Sequence, residues 1–214
     1  MKDVSKRCVF CFAILHDMNK EKEIEKIRKE IAVLTESPLY TYRTENKYFS
    51  VIGEGSYDAH IVFVGEAPGK KEAETGKPFC GRSGKFLDEM LASISLTREN
   101  VYITNLVHDR PQENRDPTKE EIALYAPFLD RQIEIIKPRV IVMLGRHSMN
   151  YLFKRAGIEE KLLPISKMHG QLFEGDFGYG KVKLLPLYHP AVALYNGGMK
   201  KTLLDDFQKL KIFS

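Results

Sequence analysis

A chain of 214 residues with 43% hydrophobic and 29% charged residues has enough apolar material for one sizeable buried core, and its balance is neither disordered nor membrane-embedded. The apolar stretch at residues 8–15 is far shorter than the ~20 residues that span a bilayer and has no small-residue cleavage site, which predicts an intracellular protein without a secretory signal or membrane anchor. A net charge of +4 permits a polyanionic partner without requiring one, and three cysteines cannot close a disulfide framework.

Residues 1–18 carry no defensible period and read as an N-terminal extension; residues 19–214 read as one domain. Asn19 is placed to cap a helix with Glu21 and Glu23 in its first turn, and Ile24, Ile27, Ile31 and Leu34 repeat at helical spacing until Pro38. Four short apolar runs, 61–64, 101–104, 140–144 and 183–187, have the continuous hydrophobicity of buried parallel strands. Helical stripes lie between them: Phe86, Leu87, Met90, Leu91 and Ile94, then Ile122, Ala126, Leu129, Ile133 and Ile136. The second is opened by Thr118 and Glu121 at capping-box spacing, and Leu203, Phe207 and Leu210 make a closing helix. Strands alternating with helices predict a three-layer α/β/α domain around a central four-stranded parallel sheet, with any ligand at the carboxyl ends of the strands.

Chemistry is therefore sought after each strand. The first ends in Gly65-Glu66-Ala67-Pro68-Gly69, followed by Lys70, Lys71 and Glu72. This is no P-loop: six residues separate Gly69 from Gly76-Lys77 where four are required, and Pro78 stands where a magnesium-binding Ser or Thr would be. Phe79 follows in a glycine-flanked loop, where the ring belongs either to the core or against a planar ligand. Asn105 closes the next strand, as a turn former or as an amide offering a donor and an acceptor side by side. After the last strand, Tyr188-His189-Pro190 leads into the small apolar run Ala191–Leu194 and then Tyr195-Asn196. His189 reads as structural or as a donor, and the apolar tip needs something to enter.

Taken together, GEAPG with its following glutamate, GKPFCGRSG, YITN, RPQENRDPT, LDRQIEIIKPRVIVMLGR and HPAVALYN closely resemble family 4, the iron-sulfur branch, of the uracil-DNA glycosylases, in order and spacing from about residue 38 onward. The resemblance implies an enzyme of base excision repair that flips uracil out of DNA and hydrolyses its N-glycosidic bond, acting as a monomer on single- or double-stranded uracil-containing DNA. It implies that Gly65, Ala67, Phe79, Asn105 and His189 bind the base, with Phe79 stacking, Asn105 reading N3–H and O4, and His189 donating to O2. The aspartate that activates water in family 1 enzymes is replaced by Ala67, leaving Glu66 or Glu72 to handle the water. Arg110, Arg115 and Lys200 are expected on DNA, and Val192, Ala193 and Leu194 in the gap left by the base.

The sequence departs from that family at its metal. The cluster cysteines are matched by Leu34, Ser37, Asp109 and Tyr125, none of them a thiolate. Cys8 and Cys11 lie 26 residues ahead of the matching pair, and with Cys80 they make a poor metal site lacking a fourth ligand. The expectation is a protein without metal or cofactor, in which Leu34 and Tyr125 replace the cluster by apolar packing. Tyr195 stands where the family is commonly basic. Two alternatives remain at this level: a catalytically silent nucleic-acid binder, and a relative that traps uracil covalently through His108.

Overall fold

The computed structural model describes residues 19–213. Helix α1 occupies 19–32 and buries Ile24, Ile27 and Ile31 on one face; Asn19 is already helical, so any cap lies outside the described residues. There follow α2 (Tyr40–Glu45), β1 (Glu54–Gly55), β2 (Ile61–Gly65), α3 (Lys70–Thr75), α4 (Arg82–Ala92) and β3 (Tyr102–Asn105). The second half contains α5 (Lys119–Ile136), β4 (Val140–Leu144), α6 (Arg146–Arg155), α7 (Ile165–Met168), β5 (Phe173–Asp176), β6 (Lys181–Leu187), α8 (Val192–Tyr195) and α9 (Met199–Phe207).

The strands form one sheet in the order β1-β3-β2-β4-β6-β5. The expected four strands are its parallel centre, and β1 and β5 add an antiparallel edge on each side. These edges were not legible because β1 has two residues and β5, Phe-Glu-Gly-Asp, has no apolar alternation.

Alternation along the buried strands sorts the core into two layers. Val62, Val64, Ile141 and Met143 pack with α1, α5 and α6; Phe63, Val140, Val142 and Leu144 pack with α4 and α9. The helix face of Phe86, Leu87, Met90 and Leu91 is buried as its spacing predicts. Thr118 and Glu121 close a reciprocal cap at the start of α5, each side chain accepting from the other's backbone N–H. Among the described residues no helix is long and apolar enough to cross a membrane.

Candidate active site

From β2 the chain passes to β3 on one side and then returns to β4 on the other, so the loops leaving β2 and β4 diverge and open a crevice at their carboxyl ends. A cavity of about 510 Å³ lies at this end of the sheet, lined by the loops that follow β2, β3 and β6 and by the start of α4. Glu66, Ala67, Phe79, Asn105 and His189, which are 66 to 189 in the chain, meet there.

Gly65 makes the meeting possible. A Cβ at this position would lie 2.3 Å from Asn105 Oδ1 and 2.7 Å from Phe79 Cζ, so only glycine lets the strand, the amide and the ring approach so closely. Phe79 is buried and has φ of 48°, in the left-handed region that disfavours a side chain. Its backbone is held there from two sides. Gly84 leaves room for the Phe79 carbonyl, and Arg98 donates to the carbonyls of both Pro78 and Phe79. Arg98 is invisible as a supporting residue in the sequence because it sits beyond α4 and reaches the Phe79 loop only by folding back.

Asn105 is 2% exposed, yet among the described residues no group is hydrogen-bonded to its side-chain amide. A buried amide without a protein partner leaves one donor and one acceptor for a ligand. His189 stacks on Phe79, with ring centroids 5.6 Å apart and 27° between the planes. Desolvation lowers its pKa to about 4, so the imidazole is neutral. The Ala191 N–H donates to His189 Nδ1 at 3.2 Å, which leaves the single ring proton on Nε2.

The two glutamates have different surroundings. Glu72 is buried, accepts the Gly81 N–H at 2.7 Å, and fits where a Cβ on Gly69 or Gly81 would crowd its carboxylate. It ties α3 to the Phe79 loop. Glu66 is partly buried at the cavity wall, and its outer side faces His147, whose Nε2 is 3.8 Å from Glu66 Oε2 and 3.5 Å from Asp116 Oδ2. Burial raises the Glu66 carboxyl; His147 and Arg146 oppose the rise and Asp116 adds to it. Neither Asp116 nor His147 stood out in the sequence, since nothing in 145–148 indicates which strand will lie beside β4.

The residues expected on DNA are distributed differently from the expectation. Leu194 lines the cavity, and the neighbouring Tyr195 is 90% exposed, while Val192 and Ala193 lie behind them outside the cavity wall. Arg110 is turned inward instead of outward. It is 8% exposed, donates to Tyr42 Oη at 2.7 Å and Asn114 Oδ1 at 2.9 Å, and lies over the rings of Tyr42 and Tyr48. Arg115 lines the cavity but grips Glu121, the same carboxylate that caps α5. Lys200 is exposed, 2.7 Å from Glu89 and over the Phe86 ring. Lys70, Lys71 and Arg82, not among the residues expected on DNA, are exposed and line the cavity, and Lys70 Nζ lies 3.8 Å from Glu74 Oε1.

The positions corresponding to the cluster cysteines are brought together but offer no thiolate. Ser37 Oγ and Tyr125 Oη are 2.9 Å apart, Tyr125 Oη donates to Asp109 Oδ2 at 2.7 Å, and Arg43 Nε lies 2.8 Å from the same oxygen. Leu34 and the Tyr125 ring do pack on the core, but the centre is a polar chain and not the purely apolar filling expected. These residues do not fit a four-thiolate cluster. Cys80 is the only cysteine among the described residues, and Cys8 and Cys11 lie outside them. His108, the candidate for covalent trapping, is fully buried. Its Nδ1 bonds the Val51 carbonyl and its Nε2 faces the Gln132 amide.

A mixed α/β sheet whose parallel centre ends in a crevice that sets an unpartnered amide and a neutral imidazole donor against one aromatic plate defines a protein for a flat heterocycle with a hydrogen-bonding edge, the chemistry of a nucleobase. The family model of the uracil DNA glycosylase superfamily matches residues 52–210, and the chain belongs to that superfamily. It is 44% identical over 190 residues to a type-4 uracil-DNA glycosylase of Saccharolobus solfataricus, covering 88% of this chain and 85% of that protein. A type-4 uracil-DNA glycosylase of Sulfurisphaera tokodaii is 43% identical over 189 residues, covering 88% and 83%. One from Thermotoga maritima is 39% identical over 196 residues, covering 91% and 96%.

Proposed function

We propose that this protein flips uracil out of DNA and hydrolyses the bond between its N1 and the sugar C1′, the first step of base excision repair. The observation that carries the reading is the buried Asn105 amide, left without a protein partner in the same cavity as Phe79 and His189. Uracil presents an N3–H donor beside an O4 acceptor, which matches one amide oxygen and one amide nitrogen; cytosine presents the reverse. A buried amide facing the wrong edge supports discrimination on the order of 10⁴.

The reaction places negative charge on the departing base, partly at O2, and positive charge on the sugar. His189 Nε2–H donates to O2 as that charge develops, without giving up its proton. Water attacks C1′, the N1–C1′ electron pair leaves with the base, and the water proton passes to Glu66 or to solvent. Uracil then takes its proton from solvent, and an abasic sugar remains. Glu66 is assigned to the water because its carboxylate is not committed to a backbone N–H as that of Glu72 is. Leu194 and Tyr195 enter the space the base leaves, and Lys70, Lys71 and Arg82 take DNA phosphates at the rim.

We further propose that the protein works without an iron-sulfur cluster, as an intracellular monomer. The Ser37–Tyr125–Asp109–Arg43 chain supports the first point, since it fills the corresponding position with a hydroxyl-to-carboxylate hydrogen-bond chain closed by an ion pair, although Asp109 Oδ1 and Arg43 Nε make no hydrogen bond among the described residues. Elemental analysis of the purified full chain checks this; stoichiometric iron with absorbance near ~400 nm would refute it.

The activity is tested with end-labelled DNA containing one uracil, incubated with the protein and then treated with alkali. Strand breaks that need the alkali step are expected. An intact strand would leave only a binding role, and a heat-stable shifted band would indicate covalent capture in place of hydrolysis.

A further inference from the structure

The strand order creates a contact behind one wall of the base pocket. β2 and β4 are neighbours, with Val64 opposite Met143, so the residues just past both strands emerge side by side. Glu66 comes from the first, and Arg146 and His147 from the second, while Asp116 arrives from the loop before α5. One ligand-type atom from each of Glu66, Asp116 and His147 falls within 4.8 Å of the others. His147 is not among the residues that line the cavity. It stands behind Glu66, on the first turn of α6.

His147 Nε2 is shared between opposite kinds of neighbour. Arg146 Nε donates to its lone pair at 3.2 Å, while the carboxylates of Asp116 and Glu66 lie 3.5 and 3.8 Å from the same nitrogen. Arg146 is itself paired with Asp116.

We propose that His147 is a positioning residue of the hydrolytic step, holding the Glu66 carboxylate charged and aimed at the attacking water, with Asp116 as the group that competes for the same imidazole. This rests on Glu66 being the water-handling residue. The charged and titratable groups around Glu66 are His147 and Arg146 of α6, Asp116 and Arg115 of the loop before α5, Lys70, Lys71 and Glu72 of α3, and His189 after β6. Of these, His147 and Arg146 stabilise the ionised Glu66 and Asp116 opposes it. Deleting His147 and deleting the Asp116 charge therefore have opposite signs.

The test is the single-turnover excision rate of the full chain on a uracil oligonucleotide from about pH 5 to about pH 9. In His147→Gln the acid limb moves up, so the rate loss is severalfold at acid pH and shrinks as pH rises. In Asp116→Asn the acid limb moves down. A loss equal at all pH values in His147→Gln, or shifts of the same sign in both variants, overturns the proposal, because a merely structural role moves no limb. Glu66→Gln separates the two levels. A wild-type rate in that variant removes the water role from Glu66 and this inference with it, whereas a slow Glu66→Gln beside an unshifted His147→Gln removes only the inference.

Discussion

The rings of Phe79 and His189 face each other at 5.6 Å between centroids. A base sandwiched between them would need about 7 Å, two ordinary stacking gaps. A uracil lying on Phe79 therefore sits beside the imidazole and meets its edge. With Nδ1 occupied by the Ala191 N–H, the edge it meets is the Nε2–H, in the plane where a carbonyl oxygen accepts. On the proposed reading, the stacking contact would set the direction from which the donor approaches the base.

Asn105→Asp replaces the amide nitrogen by an oxygen and removes the donor to O4. Uracil excision should fall by at least ~10²-fold with the folded state intact, read as single-turnover rate beside a circular dichroism spectrum. An unchanged rate would take the reading role away from this residue.

His189 is neutral down to about pH 4, so its donor is present throughout the neutral and mildly acid range. His189→Ala should lower the rate by ~10²–10³ at every pH above about 5, giving a curve parallel to that of the parent chain. If the acid limb vanished in this variant, His189 and not a carboxylate would own it.

Arg98 holds the Phe79 backbone in its left-handed conformation through two carbonyls. Arg98→Ala releases that conformation, with an expected stability loss of about 1–3 kcal/mol and a rise in KM as the stacking plate loosens. Arg98→Lys cannot reach both carbonyls with one planar fork and should behave much like the alanine variant. Thermal melts and steady-state kinetics on the two variants measure this.

His108 lies in a buried chain in which Tyr102 donates to Gln132, whose amide donates to His108, whose Nδ1–H donates to the Val51 carbonyl. Burial lowers its pKa to about 4. The folded imidazole stays neutral while the unfolded one protonates below about pH 6.5, so this contribution to stability is complete above that pH and is lost as pH falls toward 4, to a total of about 3 kcal/mol. Denaturant titrations at a series of pH values should show this slope, and His108→Gln should flatten it.

Local chemistry made much of this molecule readable. The four central strands were legible because a strand covered on both faces is apolar at every position, as Ile61–Gly65 and Val140–Leu144 are. Thr118 and Glu121 announced the start of α5 through their spacing alone. Asn105 at the end of β3 and His189 just past β6 were candidates in advance because ligands in such sheets bind there, and Phe79 was one because its ring sits in a glycine-flanked loop. What the linear chain does not contain is which strand lies beside which, and where a long side chain finds its partner. Strand order set His147 behind Glu66, and folding back brought Arg98 under Phe79. The same freedom turned Arg110 inward onto Tyr42, although its charge had marked it for the surface. A polar side chain of several bonds reaches neighbours far away in sequence, and its role is settled by the contacts that satisfy it and not by its residue type.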